Sequence, residues 1–142
     1  MERDYLRAWN IFENEVQALW PKMEALIMQS RDDLEGQLHC LSAMSACKID
    51  KPDVRLMLLD NISFLLKDEK NHPRVQSLID GVYGIAMQGK LDHRSKDVAQ
   101  KLYDKLSIEA MPETVKLSFD QKLDVLWSSC CLGNEQDSIL VR

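Results

Sequence analysis

Asp33, Asp53, Pro73, Asp92 and Pro112 punctuate the chain at intervals of about 20 residues, each close to the start of an amphipathic apolar pattern. Aspartate is a favoured helix N-cap. Proline suits a first helical position, where its missing N–H has no intrahelical partner to lose. The interval therefore predicts helices of similar length joined by short turns. Scarce Gly (5) and Pro (4) agree with helices over a sheet. The expectation is all-α: a single domain of about seven antiparallel helices over residues 1–133, then a short C-terminal tail, 134–142.

Apolar spacing places the helices. Tyr5, Trp9, Phe12, Val16 and Leu19 form one aromatic-rich stripe on a first helix from about Glu2 to Trp20. Pro21 should end or kink it and open a second, running to about Ser30. A third begins at Asp32 or Asp33, with Leu34, Leu38, Leu41 and Met44 or Ala43 inward. The fourth, Pro52–Lys67, is the most apolar stretch. Val54, Leu58, Ile62, Leu65 and Leu66 make one broad stripe; Met57 and Phe64 make a second ridge beside Asp53 and Asp60. Apolar on two sides, this helix is expected at the centre, its ridges two packing interfaces. An exposed Asp60 would instead make the second ridge a groove. Pro73 opens a fifth helix with Val75, Leu78, Ile79, Val82 and Ala86 inward; Gly81 and Gly84 hint at close backbone packing, and Gly89 ends it. Asp92 or Ser95 caps a sixth, with Val98, Leu102 and Leu106 inward. Pro112 starts a short helical turn. Ser118 and Gln121 have capping-box spacing for the last helix, whose inward residues are expected to be Phe119, Leu123, Leu126, Trp127 and Cys130.

Two such helices make a unit of about 40 residues. In period and in Pro and Asp punctuation the layout from Asp33 to Gly133 resembles HEAT- or armadillo-type helix pairs, with no repeat consensus matched residue by residue. That resemblance implies a short helical solenoid. An irregular helical bundle would read nearly the same.

No constellation specifies a reaction. Cys40 and Cys47 lie two helical turns apart and Cys130 adjoins Cys131, so neither pair has structural-zinc spacing. His39 falls mid-helix, while His72 and His93 fall in loop or cap contexts. There is no GxSxG elbow, HExxH or phosphate-cradling glycine loop. Asp120 with Asp124 reads as a solvated face. The expectation is no enzyme, no cofactor and no metal.

Charge narrows the partners. The net charge of −5 divides as −4 over residues 1–50, +1 over 51–100 and −2 over 101–142. An acidic chain is a poor nucleic-acid binder. A basic face at Lys90, Arg94, Lys96, Lys101 and Lys105 is diluted by Asp97 and Asp104. No stretch approaches a membrane span, and no export signal is visible, so a cytoplasmic setting with reduced thiols is expected. What remains is binding to another protein, a basic one in the favoured reading. Glu13, Glu15, Asp32, Asp33 and Glu35 are the candidate contacts of a small acidic inhibitor of the immunity-protein kind, which would occlude the cleft of a partner such as a nuclease toxin. The alternative is a helical-repeat adaptor or scaffold subunit of a larger assembly.

Overall fold

A computed structural model describes residues 2–89 and 92–133, with side chains throughout these except 2–6 and 8–10. The tail 134–142, Lys90 and the side chains of Tyr5 and Trp9 lie outside the described residues. Six α-helices follow one another: α1 (Glu2–Gln29), α2 (Leu34–Ala46), α3 (Pro52–Leu66), α4 (Val75–Met87), α5 (His93–Glu109) and α6 (Phe119–Leu132).

Six helices stand where seven are expected because α1 runs through Pro21. The proline removes one helical hydrogen bond and leaves the Gln17 carbonyl without its usual donor. Both Gln17 and Pro21 are exposed, so water can take the donor's place and the helix continues. The last helix starts where its capping box places it. Pro112 makes only a turn, with Val115 N–H donating to Pro112 O at 2.9 Å, and α6 begins at Phe119.

The ends follow local rules. Asp92 accepts from Ser95 N–H at 2.7 Å and caps α5. Ser118 and Gln121 form a reciprocal capping box on α6. Gly133 stops α6 in the left-handed conformation, φ 70, where a Cβ would be strained. Lys48 adopts φ 53 after α2. There Ile49 N–H reaches Met44 O and Lys48 N–H reaches Ser45 O, the paired bonds of a Schellman motif.

Helices α1, α2, α4 and α6 neighbour one another in a row, and α3 packs on α5 in a second layer. Each pair, α2 with α3 and α4 with α5, joins the layers. Hydrogen bonds between consecutive pairs recur at separations of 38 to 45 residues: His39 to Ser77, Ser45 to Gly84, Arg55 to Ser95, Ser63 to Lys101 and Gln76 to Gln121. In each row the contacts advance together along both helices, so α2 runs parallel to α4 and α3 to α5. That is translational stacking of helix pairs, not an up-and-down bundle.

The centre is α4, not α3. α4 is flanked extensively by α2, α5 and α6, whereas the main helix contacts of α3 are with α2 and α5. Leu78, Ile79, Val82 and Ile85 are buried on α4 against Leu38, Leu41 and Met44 of α2 and Leu102 and Leu106 of α5. Two glycines allow this approach: a Cβ on Gly81 would stand 2.6 Å from Leu38 Cδ2, and one on Gly84 3.2 Å from Ser42 Cα. The inward face of α6 also differs from the pattern. Val125, Ser128, Ser129 and Leu132 are buried, and Phe119, Leu123, Leu126, Trp127 and Cys130 are exposed. Among the described residues the row ends at α6, and one side of this helix keeps an exposed apolar stripe. Trp127 is partly sheltered by Tyr83, ring centroids 4.9 Å apart.

Candidate partner-binding groove

One side of α3 is packed and the other is open. Leu58, Leu59, Ile62 and Leu65 are buried, while Phe64 is 68% exposed and Met57 40%. The second apolar ridge is thus not a packing interface. It forms one wall of a groove of about 640 Å³, faced by Ile27, Met28 and Arg31 at the end of α1 and closed by Arg94 at the start of α5.

Long-range hydrogen bonds set the groove's shape. Asn61 Nδ2 donates to Arg31 O at 2.6 Å and to Gln37 Oε1 at 2.9 Å. Gln37 Nε2 in turn donates to Ile27 O and Ser30 Oγ, both at 2.9 Å. This chain of amides pins the α1–α2 turn against α3. At the other wall Arg94 Nη1 lies 2.8 Å from Asp60 Oδ1. Both side chains are half-exposed, so the pair adds at most about 1 kcal/mol and is easily exchanged for a ligand's charge. From Asp53 to Phe64 the wall measures about 16 Å, three turns of helix.

The five candidate acids do not form one surface. Glu13 and Glu15 are exposed midway along α1, roughly 20 Å by helix length from the turn that holds Asp32 and Asp33. Those two aspartates are adjacent and exposed; Asp33 sits at the α2 N-cap position without a side-chain cap bond. Glu35 is engaged within the fold. Arg74 N–H donates to its Oε1 at 2.6 Å and Arg74 Nε at 3.2 Å. The Arg74 backbone bond foremost holds this carboxyl below its ordinary pKa, against a smaller opposing effect of burial.

Three side chains of the basic face of α5 are likewise committed. Lys101 reaches Ser63 Oγ at 2.7 Å and Asp97 at 3.2 Å, Lys105 reaches Glu109 at 3.2 Å, and Arg94 belongs to the groove. Burial pushes the Cys40 thiol up, which makes it a poorer nucleophile. His39 Nε2 lies 3.2 Å from Ser77 Oγ, and His72 Nδ1 2.9 Å from Glu109 Oε1. On α6, burial first and then the carboxylates of Asp80 and Asp120 push the Asp124 carboxyl up. Among the described residues no three His, Cys, Asp or Glu side chains are grouped as metal ligands.

Met28 and Arg31 escaped sequence reasoning, and Arg94 was read only as part of a basic face, because nothing local joins α1, α3 and α5. Arg55 left a signal: it stands three and four residues before Leu58 and Leu59 on the buried side of α3, and it is only 7% exposed. No protein-family model, curated protein or solved structure matches this chain.

Proposed function

We propose that this chain is a non-enzymatic protein-binding module, a helical-repeat adaptor that holds an amphipathic helix of another protein in the α1–α3–α5 groove. One observation carries the reading. Met57 and Phe64 stand exposed seven residues apart on a helix whose opposite side is fully packed. Large apolar side chains kept in water on a rigid wall are a common mark of an interaction site. Two anchors two turns apart fit the i and i+7 positions of a ligand helix. Asp53 suits a basic residue at one edge of that ligand, and Arg31 an acidic one on the facing wall. Four free thiols suit a reducing compartment, so a cytoplasmic setting belongs to the same proposal. No helix among the described residues is long and apolar enough to cross a membrane.

The acidic-inhibitor reading rests on residues at separate places, with Glu35 engaged by Arg74, and so takes second place. Affinity capture across a salt series separates the two. With the adaptor, a partner retained by the wild type is lost from Met57→Asp/Phe64→Asp, retained by Asp32→Lys/Asp33→Lys, and only weakly sensitive to salt. A partner that ignores the groove variant, or that is lost with the aspartates and with rising salt, overturns the adaptor reading and favours the inhibitor.

A further inference from the structure

Two charges on the groove walls are answered by no partner among the described residues. Asp60 and Arg94 neutralise one another. Asp53 on α3 and Arg31 in the turn after α1 line the same groove, and both are exposed. No ion pair among the described residues holds either of them. Their levels along α3 differ. The Arg31 carbonyl is fixed by Asn61 Nδ2 at 2.6 Å, and Asn61 stands about 12 Å beyond Asp53 along the helix. Counted from Asp53, Met57 follows at about 6 Å, the Arg31 wall at about 12 Å and Phe64 at about 16 Å. Asp53, Met57, Asn61 and Phe64 share one face of α3, because steps of three, four and seven residues bring side chains into line. One helix laid along that row meets all four levels, and opposite charges at fixed levels give the groove a direction.

We infer that the partner helix runs antiparallel to α3 and carries a carboxylate one turn after its first apolar anchor and a cation one turn after its second. This rests on the groove taking a helix, as proposed above, and adds the direction and the charge pattern of that helix. The first anchor sits against Phe64 and the carboxylate against Arg31. The second anchor, seven residues after the first, sits against Met57, and the cation then reaches Asp53.

Two effects choose the antiparallel course. A helix is stabilised by acids toward its N-terminus and bases toward its C-terminus, which oppose its macrodipole. Only the antiparallel course meets Arg31 with an acid that precedes the base at Asp53. The same course sets the partner's dipole against that of α3. A helix with the two charges exchanged would bring like charges together at both levels, a repulsive contribution to specificity. Asp60 and Arg94 stay paired and ask nothing of the ligand.

Two synthetic peptides of the same composition make the test. Both carry leucines seven residues apart on an alanine- and glutamine-rich helix. In one, glutamate follows the first leucine by one turn and lysine follows the second; in the other, glutamate and lysine are exchanged. Fluorescence anisotropy should show the first binding roughly threefold to tenfold more tightly. Arg31→Glu/Asp53→Lys, at exposed positions, should reverse that preference. A spin label on the N-terminus of the first peptide should broaden the amide resonances of Phe64 and Leu65 more strongly than that of Asp53. Equal affinities, both lost with Met57→Asp/Phe64→Asp, overturn the charge pattern and leave the groove reading standing. A label that broadens Asp53 the more strongly overturns the antiparallel course. Binding of neither peptide, or binding indifferent to Met57→Asp/Phe64→Asp, overturns the groove reading and this inference with it.

Discussion

Arg55 Nη2 meets Asp92 Oδ2 at 2.6 Å, so a guanidinium buried on α3 is anchored by the residue that also caps α5. Nη1 of the same arginine donates to Ser95 Oγ at 2.8 Å and to Gln88 Oε1 at 3.2 Å, while Nε is buried without a partner. One aspartate thus serves two helices, and one arginine joins the second layer to the end of α4.

Loss of that aspartate should be costly. Asp92→Ala removes the cap and strands the buried guanidinium, for an expected loss of about 2–3 kcal/mol at pH 7 once the partial exposure of Asp92 is discounted. Burial would raise the Asp92 carboxyl, but the Ser95 N–H and Arg55 outweigh it and hold the pKa low. Glu109 is similar: burial opposes, and His72 and Lys105 prevail. Groups with depressed folded pKa values stabilise above the ordinary carboxylate value of about 4 and lose that contribution as pH falls through the depressed value. Urea unfolding at pH 7, 4 and 3 should show the wild type losing stability below about pH 4. The gap between wild type and Asp92→Ala should narrow there; an undiminished gap at pH 3 would mean that the ion pair is not its source.

Gly81→Ala should destabilise, against the rule for helix interiors. Alanine is favoured over glycine by about 1 kcal/mol in a helix. Its methyl would nonetheless stand 2.6 Å from Leu38 Cδ2, inside a packed core, and overpacking costs about 1–3 kcal/mol. The expected net loss is about 1 kcal/mol by chemical denaturation. A gain would show that Leu38 has room to move.

The two faces of α3 should respond differently to truncation. Leu58→Ala opens a cavity in the core and is expected to cost about 2–5 kcal/mol. Phe64→Ala, on the exposed wall, should cost less than about 1 kcal/mol. Thermal melts of the two variants compare them directly, and a large loss at Phe64 would mark it as structural.

Pro21→Ala should straighten and stabilise α1. Restoring one backbone hydrogen bond recovers part of the roughly 3 kcal/mol that an interior proline costs, while the freer unfolded chain takes back up to about 1 kcal/mol. The expected gain is about 1–2 kcal/mol, with higher helicity by circular dichroism. A loss would show that the path of α1 onto the body depends on the proline.

Local chemistry was the legible part. The cap at Asp92, the capping box at Ser118 and Gln121, the stops at Gly89 and Gly133 and the inward stripes of α2, α4 and α5 are written in neighbouring residues, because capping and helical periodicity act within about one turn or one face. The 20-residue punctuation left stacked helix pairs and an irregular bundle both open, and the parallel course of α2 with α4 and of α3 with α5 favours the first. The punctuation carried no helix start at Pro112, where the nine-residue loop 110–118 precedes α6, and the separate break expected at Pro21 does not occur, because exposure lets water serve the freed carbonyl.

The sequence by itself determined that this protein is helical, roughly where each helix starts and which residues of the inner helices are core. Only the tertiary structure decided which apolar faces found neighbours. α3 and α6 each carry two apolar sides, and a helical wheel cannot tell a side that meets another helix from one at the end of a row. Among the described residues, ridge Met57–Phe64 and stripe Phe119–Leu126 are left open by the order of stacking. The acids Glu13 and Asp32 stand apart because they are separated by most of the length of a rigid helix. Proximity in sequence sets the elements; exposure is set by which elements meet, and that depends on contacts about 40 residues apart.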